Sequence, residues 1–469
     1  MLPLNDRKTK IVATIGPASD SPNQLQTLLA AGMNVARLNF SHGSHDEHGR
    51  RIGHLRQLAE TAGQPLAILQ DLAGPKVRIG DFAAGSIELH AGGRFTLTSR
   101  PIVGDRDAVS VSYARLPQEV RPGDTLLLAD GQIELEVRQV GDHDIRCAVV
   151  VGGTLSANKG VNCPSGLMGL PILGEQDSAD LRFGIERGVD YIGLSFVRTA
   201  DDVATAKRAI AACGGETPVI AKIETQAALG NFSEILAAAD GIMIARGDLG
   251  IETPFARVPH IQKRLIREAN QQAKPVITAT HMLVSMVAAP RPTRAEVADV
   301  ANAVLDGSDA VMLSEETAVG RYPARAVRTM ADIAQETEQT LTRRLDWSVP
   351  PDRRDAEADA LARAACDIAA TLEVAALATV TVSGFTALRI AKYRPPQPIV
   401  AVTPQSETYR RLALVHGVIP VLLPTATEDR EALRRDAREL LAGSGLAGRK
   451  VVFISFVSDA RYILTTELL

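Results

Sequence analysis

Several charged and hydroxyl residues in this sequence come directly after short apolar runs, where buried β-strands would end. They occur in the segments ARLNFSHG, LQDLAGPK, AKIET, ARGDLG and ATHML. In parallel α/β proteins, functional groups lie at the carboxyl ends of the strands. We therefore expect one site to contain residues from all five segments: Arg37, Asn39, Ser41, His42, Asp71, Lys222, Glu224, Arg246, Asp248, Thr280.

Glu224 and Asp248 follow two successive apolar runs. Two carboxylates at neighbouring strand ends suit Mg²⁺, a hard cation that takes few protein oxygens and keeps positions for phosphate. Salt bridges to Lys222 or Arg246 explain the same residues. The spacing alone leaves both interpretations open.

Basic residues accompany these carboxylates. Lys222 ends an otherwise apolar segment, so its ammonium must meet an anion or form a buried ion pair. Together with Arg37 it makes an anionic substrate plausible, because guanidinium groups bind phosphate and carboxylate bidentately. We interpret Arg246 as a structural clamp. Thr280 is neutral, so a catalytic role would need a water or hydroxyl relay, and a plain strand-end hydrogen bond is the alternative.

The histidines divide into two groups. His42 lies in the expected mouth, whereas His45, His48 and His54 follow at helix-surface spacing and are predicted to be solvated.

The composition excludes several classes of protein. Net charge is −4 and aromatic residues make up 4% of the 469 residues, which does not favour nucleic-acid or anionic-lipid binding. The N-terminus lacks the apolar core of a signal peptide, and no apolar run approaches the roughly 20 residues of a membrane span. Four dispersed cysteines fit a reducing compartment. We expect a cytoplasmic protein without nucleic-acid or membrane partners.

The order of elements indicates the fold. Eight short β-rich runs alternate with amphipathic stretches such as 21–30, 199–212 and 259–272, which is typical of a (β/α)₈ barrel. The predicted strands are 11–15, 35–40, 66–69, 191–196, 218–223, 241–245, 275–279 and 310–313.

Two regions interrupt this alternation. Residues 73–165 carry strand-like segments without a long helical pattern, which predicts a β-domain inserted after the third barrel strand. A smaller α/β domain is predicted over 346–469, and its first residues form a Pro- and charge-rich linker. The barrel itself would comprise 1–72 and 166–345.

Over its whole length the chain resembles pyruvate kinases. The motifs that carry this resemblance are TKIVATIGPAS, ARLNFSHG, NKGVNCP, AKIET, IARGDLG, ATHML, PRPTRAEVADVANAVLDGSDAVMLSEETA and KYRPPQPIVAVTP. The resemblance implies a (β/α)₈ barrel, an inserted β-barrel-like lid domain over 73–165 and a C-terminal α/β domain. It also implies phosphoryl transfer from phosphoenolpyruvate to ADP, giving pyruvate and ATP, in a homotetramer.

The resemblance assigns roles to individual residues. Glu224 and Asp248 would hold Mg²⁺, with Mn²⁺ as a substitute, while Lys222 and Arg37 would neutralise the phosphoryl group in flight. The backbone N–H groups of Gly247 and Asp248 would bind the substrate carboxylate, and Thr280 would help to protonate the enolate. Three further residues would contact the nucleotide phosphates: His42, Arg78, Lys159.

Two positions depart from the family pattern, since His281 and Val284 stand where glutamine and glutamate are usual. They affect the expected subunit contacts more than the chemistry. Two other functions remain open: a Mg²⁺-dependent lyase or aldolase, which has no need for Lys222 or the lid, and a non-catalytic metabolite sensor.

Lys76 bears on the cation requirement. Most pyruvate kinases carry glutamate here and need K⁺ near the residues equivalent to Asn39, Ser41, Asp71 and the Leu72 carbonyl. Members with lysine here resemble one another in needing no K⁺, and Leu72 and Ile79 replace the threonines of the K⁺-requiring type. We predict that Lys76 acts as an internal cation and that K⁺ is not required.

The loop TVSGFTA matches the effector loop of the family. Its hydroxyl and N–H groups, at Thr381, Ser383, Gly384 and Thr386, are predicted to bind a phosphorylated effector. An ordinary βα turn is the alternative. The end of the chain lacks the glycine-rich segment associated with fructose bisphosphate, so a sugar monophosphate or AMP is favoured.

Overall fold

The computed structural model describes residues 7–164, 166, 169–340, 356–424, 429–458 and 461–469. Its strands, in chain order, are β1 (Lys10–Thr14), β2 (Val35–Asn39), β3 (Ala67–Asp71), β4 (Val77–Arg78), β5 (Ser86–Leu89), β6 (Arg94–Thr98), β7 (Ala108–Ser110), β8 (Thr125–Leu128), β9 (Ile133–Val140), β10 (Asp144–Val151), β11 (Gly153–Ser156), β12 (Gly160–Asn162), β13 (Tyr191–Leu194), β14 (Val219–Ile223), β15 (Gly241–Ala245), β16 (Val276–Ala279), β17 (Ala310–Leu313), β18 (Ala376–Val380), β19 (Ile399–Thr403), β20 (Val418–Leu422), β21 (Lys450–Ser458) and β22 (Arg461–Leu468).

The α-helices are α1 (Pro22–Ala31), α2 (His45–Ala62), α3 (Leu116–Glu119), α4 (Glu175–Glu186), α5 (Ala200–Ala212), α6 (Gln226–Gly230), α7 (Phe232–Ala238), α8 (Arg246–Glu252), α9 (Val258–Gln271), α10 (Arg294–Leu305), α11 (Glu315–Ala318), α12 (Pro323–Gln339), α13 (Ala356–Thr371), α14 (Phe385–Ala391), α15 (Ser406–Arg411) and α16 (Arg430–Leu441). Among the described residues, no helix is both long and apolar enough to cross a membrane.

Strands β1–β3 and β13–β17 form a closed parallel barrel in the spatial order β1-β17-β16-β15-β14-β13-β3-β2. The ring closes through β1, where Lys10 lies opposite Ala310 and Val12 lies opposite Val35. All eight predicted strands are confirmed to within a residue or two. They were readable because barrel strands are buried on both faces and therefore appear as continuous apolar runs.

Capping explains where several barrel helices begin. Ser44 precedes α2 and accepts a hydrogen bond from the Glu47 amide, while the Glu47 carboxylate accepts one from the Ser44 amide. Thr199 with Asp202 and Thr293 with Glu296 repeat this reciprocal pattern at α5 and α10. Each pair satisfies two amides that have no acceptor within the helix.

The lid is a seven-stranded sheet in the order β4-β12-β8-β9-β10-β6-β7, accompanied by the ribbon β5-β11. Ile79, next to β4, also bridges to Val111, next to β7, so the two edges of the sheet meet. This closure confirms the barrel-like lid. A separate apolar cluster fills it, with Phe95, Leu97, Leu126, Leu135 and Ile145 among its buried members.

The last domain is a five-stranded sheet in the order β20-β19-β18-β21-β22. Strands β18 to β21 are parallel, as the predicted α/β class of this domain implies, whereas β22 pairs antiparallel with β21 and was not predicted. The predicted boundary at 345/346 falls outside the described residues.

This domain packs under the amino ends of the barrel strands. Ala413 and Leu414 join the apolar cluster inside the barrel. The Tyr191 hydroxyl, at the start of β13, donates to the Arg411 carbonyl. The barrel is thus sealed at one end, and its functional residues collect at the other.

Candidate functional site

The carboxyl ends of four barrel strands meet at a buried cluster of charges. Arg37, the third residue of β2, donates from Nε to Asp71 Oδ2 at 2.6 Å and from Nη1 to Thr14 Oγ1 at 3.0 Å. Asp71 ends β3, and its carboxylate is 1% exposed. Burial raises the pKa of Asp71, but the charges of Lys222 and Arg37 outweigh it and hold the pKa below its usual value.

Lys222 lies at the centre of this cluster. Its Nζ is 3.2 Å from Asp71 Oδ1 and 3.0 Å from Glu224 Oε1, and it donates to Ser195 Oγ at 2.7 Å. Burial lowers the pKa of Lys222, but the two carboxylates outweigh it and raise the pKa above its ordinary value. Lys222 is therefore a fixed, permanently charged ammonium at the mouth of the barrel.

Glu224 is 1% exposed and accepts a hydrogen bond from the Phe196 amide at 2.7 Å. Burial raises its pKa, and the negative charge of Asp248 raises it further, against the opposing effects of Lys222 and the Phe196 amide. Because the charge of Asp248 disfavours ionisation of Glu224, a divalent cation bound by both carboxylates would offset that repulsion. Among the described residues, no group of three or more His, Cys, Asp or Glu is arranged to hold a metal ion.

Thr280 and His281 adopt left-handed backbone conformations, with φ of 68° and 56°. The Thr280 hydroxyl accepts from the Gly247 amide and donates to the Ala279 carbonyl, both at 2.7 Å. Such conformations in non-glycine residues persist only where surrounding contacts hold them, and they concentrate at functional sites. The structure thus places Thr280 directly beside the Gly247–Asp248 turn.

Arg246 behaves as the clamp inferred from the sequence. It binds Asp299 bidentately, with both N–O distances 2.6 Å, and donates to the Ala279 and Thr280 carbonyls. These contacts fix the ends of β15 and β16 relative to α10. Both terminal nitrogens of Arg246 therefore already donate to Asp299 and are not free to bind a substrate bidentately.

The three residues expected to contact nucleotide are all exposed: His42, Arg78 and Lys159. Arg78, in β4, donates to the Asn158 carbonyl at 3.0 Å, which brings it close to Lys159. His42 belongs to the barrel and lies in the loop after β2.

The prediction that His48 is solvated is wrong. His48 is 2% exposed, stacks on Phe40 with ring centroids 4.0 Å apart, and is 2.8 Å from the His42 carbonyl oxygen. Burial lowers its pKa. His45 is also only partly exposed and lies 2.6 Å from Asp180. Helical spacing did not reveal the aromatic residues that cover this face of α2.

Lys76 lies between the lid and the barrel. Its Nζ is 3.7 Å from Asp130 Oδ1, and its chain passes so close to Gly160 that a Cβ there would lie 2.7 Å from Cε. It lines a small cleft of about 50 Å³ with Asn162 and Phe196. In this arrangement its ammonium interacts with the lid.

Oxygens of Leu72, Asn39 and Asp71, in the expected monovalent-cation region, accept hydrogen bonds or form ion pairs within the protein. Ser195 Oγ donates to the Leu72 carbonyl at 2.7 Å, and the Ser41 amide donates to Asn39 Oδ1 at 3.2 Å. The Asp71 carboxylate is paired with Arg37 and Lys222.

Residues 381–384 of the segment 381–387 connect β18 to α14, and residues 385–387 form the first turn of α14. Thr381 is buried, and its hydroxyl accepts from the Gly384 amide at 2.9 Å, while Ser383 is exposed. Gly384 has φ 87°, a conformation that favours glycine. Ser383 and the half-buried Thr386 are the hydroxyls open to a ligand from this loop.

Two hydroxyls of the cluster, those of Thr14 and Ser195, were not predicted from the sequence. Each lies at or just after the end of a barrel strand, β1 and β13. The strand-end rule that selected Arg37 and Lys222 would have selected them too.

Comparisons with known proteins agree with this architecture. The family pattern described as "Pyruvate kinase, barrel domain" matches residues 6–327, and "Pyruvate kinase, alpha/beta domain" matches 359–460. Pyruvate kinase 2 of Synechocystis is 48% identical over 440 residues, covering 92% of this chain and 74% of the relative. The pyruvate kinase of Thermotoga maritima is 42% identical over 434 residues, 92% of each. A crystal structure of a pyruvate kinase from Cryptosporidium parvum superimposes with a TM-score of 0.91 at 36% identity, covering 98% of this chain and 96% of the other.

A parallel barrel that presents cations and paired carboxylates beneath an inserted lid is here the scaffold of a phosphotransferase. More narrowly, the chain belongs to the pyruvate kinase family, whose substrates are phosphoenolpyruvate and ADP. Of the three functions left open by the sequence, this membership supports the kinase.

Proposed function

We propose that this protein catalyses Mg²⁺-dependent phosphoryl transfer from phosphoenolpyruvate to ADP, giving pyruvate and ATP. The observation that carries the proposal is the ammonium of Lys222, held within 3.2 Å of Asp71, Glu224 and Ser195 at the mouth of a pyruvate kinase barrel. Phosphoryl transfer relies on positioning and charge stabilisation more than on covalent chemistry. A cation fixed before the substrate arrives provides both.

Lys222 and Arg37 neutralise charge on the phosphoryl group as it moves. Each is oriented by the Asp71 carboxylate, at 3.2 and 2.6 Å, so neither side chain has to be ordered during the reaction. Lys222 also stabilises the enolate left behind.

Glu224 and Asp248 are the residues that would hold Mg²⁺, or Mn²⁺ in its place. When bound, the metal supplies positive charge to the substrate and the transferring phosphoryl group. The support is the negative charge of Asp248 close to the buried Glu224 carboxylate, where it raises the pKa of Glu224 and where a divalent cation would offset it.

The Gly247 and Asp248 amides bind the substrate carboxylate, and Thr280 helps to deliver a proton to the enolate carbon, through water. Thr280 Oγ1 now accepts from the Gly247 amide at 2.7 Å. A bound carboxylate would compete for that amide and release the hydroxyl.

His42, Arg78 and Lys159 bind the nucleotide phosphates. Their exposure fits a role in capturing ADP from solution, and Arg78 and Lys159 approach the mouth as the lid closes.

The enzyme is further proposed to need no K⁺, with Lys76 as the internal cation. The support is the position of Lys76, whose side chain lines the cleft between the lid and the barrel with Asn162 and Phe196. A tethered ammonium also has a high effective concentration at the site. In the position described, Lys76 pairs with Asp130, so this role belongs to a more closed lid.

Three further proposals follow from the family resemblance. The protein is a cytoplasmic homotetramer, and a sugar monophosphate or AMP binds at Ser383 and Thr386. The open hydroxyls of the 381–387 loop support the effector proposal. A substrate saturation curve unchanged by every phosphorylated metabolite tried would exclude it.

The test of the main proposal is pyruvate release from phosphoenolpyruvate, followed in a coupled assay with and without ADP and Mg²⁺. Release that requires both supports the proposal. Release that is independent of ADP would indicate a lyase or hydrolase, and no release would indicate a sensor.

A further inference from the structure

Two consecutive residues, Ser195 and Phe196, form a turn directly after β13 that touches both Lys222 and Glu224. Ser195 Oγ accepts from Lys222 Nζ and donates to the Leu72 carbonyl, both at 2.7 Å. The Phe196 amide donates to Glu224 Oε2 at 2.7 Å. One short segment therefore fixes the ammonium and one of the carboxylates.

The turn has an unfavourable backbone conformation. Phe196 has φ 56°, in the left-handed region that bulky residues rarely adopt. Its neighbours must hold it there, since an isolated turn of this sequence would relax to negative φ.

The same turn packs against the first connection between the barrel and the lid. Gly74, between β3 and β4, has φ 72°, and a Cβ on it would lie 2.8 Å from the Ser195 Cβ and 3.2 Å from the Phe196 ring. Only glycine permits this approach. Phe196 also lines the cleft between lid and barrel with Lys76 and Asn162.

We infer that the Ser195–Phe196 turn couples the lid hinge at Gly74 to Lys222 and Glu224, with Ser195 as a positioning residue for the ammonium. This inference rests on the roles proposed above for Lys222 and Glu224. When the chain at Gly74 moves, the turn moves with it, and the hydrogen bonds at 2.7 Å transmit the displacement to both side chains. The site is fully aligned only in one position of the lid.

The experiment is a double-mutant cycle of Ser195→Ala and Gly74→Ala, with Ser308→Ala as the matched control. Ser308 also loses a buried hydroxyl bond, to Thr278 at 2.7 Å, but it lies at the amino end of β17, away from Lys222 and Gly74. Turnover, the KM for ADP and the rate of amine-specific labelling of Lys222 are measured for each variant. Should Ser195→Ala not fold, Ser195→Cys takes its place, because it fills similar space with a much weaker acceptor.

Each single variant is expected to lower kcat about ten- to a hundredfold with little change in the KM for ADP. The double variant should fall no further than the worse single variant, since both break the same linkage. Labelling of Lys222 should rise in both single variants, while Ser308→Ala stays within about twofold of the wild type. A Ser195→Ala kcat within twofold of the wild type, or effects that multiply in the double variant, would overturn the inference.

The labelling also separates this inference from the proposed function. If the wild type releases no pyruvate, the proposed function fails, yet labelling still decides the coupling. Unchanged Lys222 labelling in Gly74→Ala rejects the coupling whatever the activity.

Discussion

The two ends of the barrel both hold buried charges, but they use them differently. At the carboxyl end, Lys222, Arg37, Asp71 and Glu224 interact beneath the mouth. At the amino end, Arg394 Nη1 is 2.9 Å from Asp309 Oδ1, and Lys10 Nζ donates to the Val418 carbonyl at 2.7 Å. Burial and pairing are similar, so buried charge alone does not identify a functional site.

The two clusters differ in what covers them. The mouth faces a lid and a cleft, whereas the amino end is covered by the last domain, whose Ala413 and Leu414 pack inside the barrel. Charges at the mouth can exchange protein partners for ligand, and those at the amino end cannot. Variants at the mouth should therefore lose rate, and variants at the amino end should lose stability.

Arg394→Met is expected to have the largest effect. It leaves the buried Asp309 carboxylate without its cation, which typically costs about 3–5 kcal/mol. The free energy of unfolding, from urea transitions, should fall by that amount while kcat per folded molecule is unchanged. Arg208→Met removes an exposed pair with Asp201 and should change stability by under about 1 kcal/mol. If Arg394→Met lowered kcat and left the free energy of unfolding unchanged, the proposed difference between the two ends of the barrel would be wrong.

Lys222→Met should lower turnover roughly 10²–10³-fold or more, because one preorganised charge is lost from the transition state. Mg²⁺ binding, measured by calorimetry, should be largely retained. Retention of more than half of the wild-type turnover would show that Lys222 is a structural residue like those at the amino end.

Lys10 gives the amino end a pH dependence. Burial lowers its pKa to about 7, so between pH 7 and its ordinary value of roughly 10.4 the unfolded chain holds a proton that the folded chain lacks. Stability should therefore rise with pH in this range, by about 2 kcal/mol between pH 7 and 9 relative to Lys10→Met. Urea midpoints of both proteins at four pH values test this. If the urea midpoints of the two proteins changed with pH in parallel, Lys10 would be charged in the folded protein.

Lys76→Glu should have the smallest effect: it should change the cation requirement of the activity and leave stability unchanged. The wild type should be fully active with K⁺ replaced by a bulky quaternary ammonium ion, and the variant should acquire K⁺ dependence. Activation of the wild type by KCl of about tenfold, some 1.4 kcal/mol of barrier, would contradict the proposed internal cation.

The fold was predictable because its signals are local. Barrel strands such as 241–245 are apolar throughout, and caps such as Ser44 with Glu47 mark the helix starts. Strand β22 was missed although it pairs along most of β21, because the connection lacks the Gly and Asn residues that usually signal a tight hairpin.

The charged residues of the site were predictable from the sequence, but the hydrogen bonds and packing contacts that link them were not. Strand-end position brought Arg37, Lys222 and Glu224 together correctly. The roles of Ser195 and Phe196 depend on a left-handed φ and on a contact with Gly74, more than a hundred residues away in sequence. The burial of His48 likewise depends on how Phe40 packs, which spacing along α2 does not reveal.

The pairing of β1 with β17 has a consequence for synthesis. About 300 residues separate these neighbours, so at roughly 5–20 residues per second the ribosome needs some 15–60 seconds to deliver the strand that closes the ring. The lid strands, all within residues 77–162, can pair long before that. The order of synthesis thus allows the lid to pair while the barrel is still open, a stage at which apolar barrel strands lack their last partner and are exposed to aggregation.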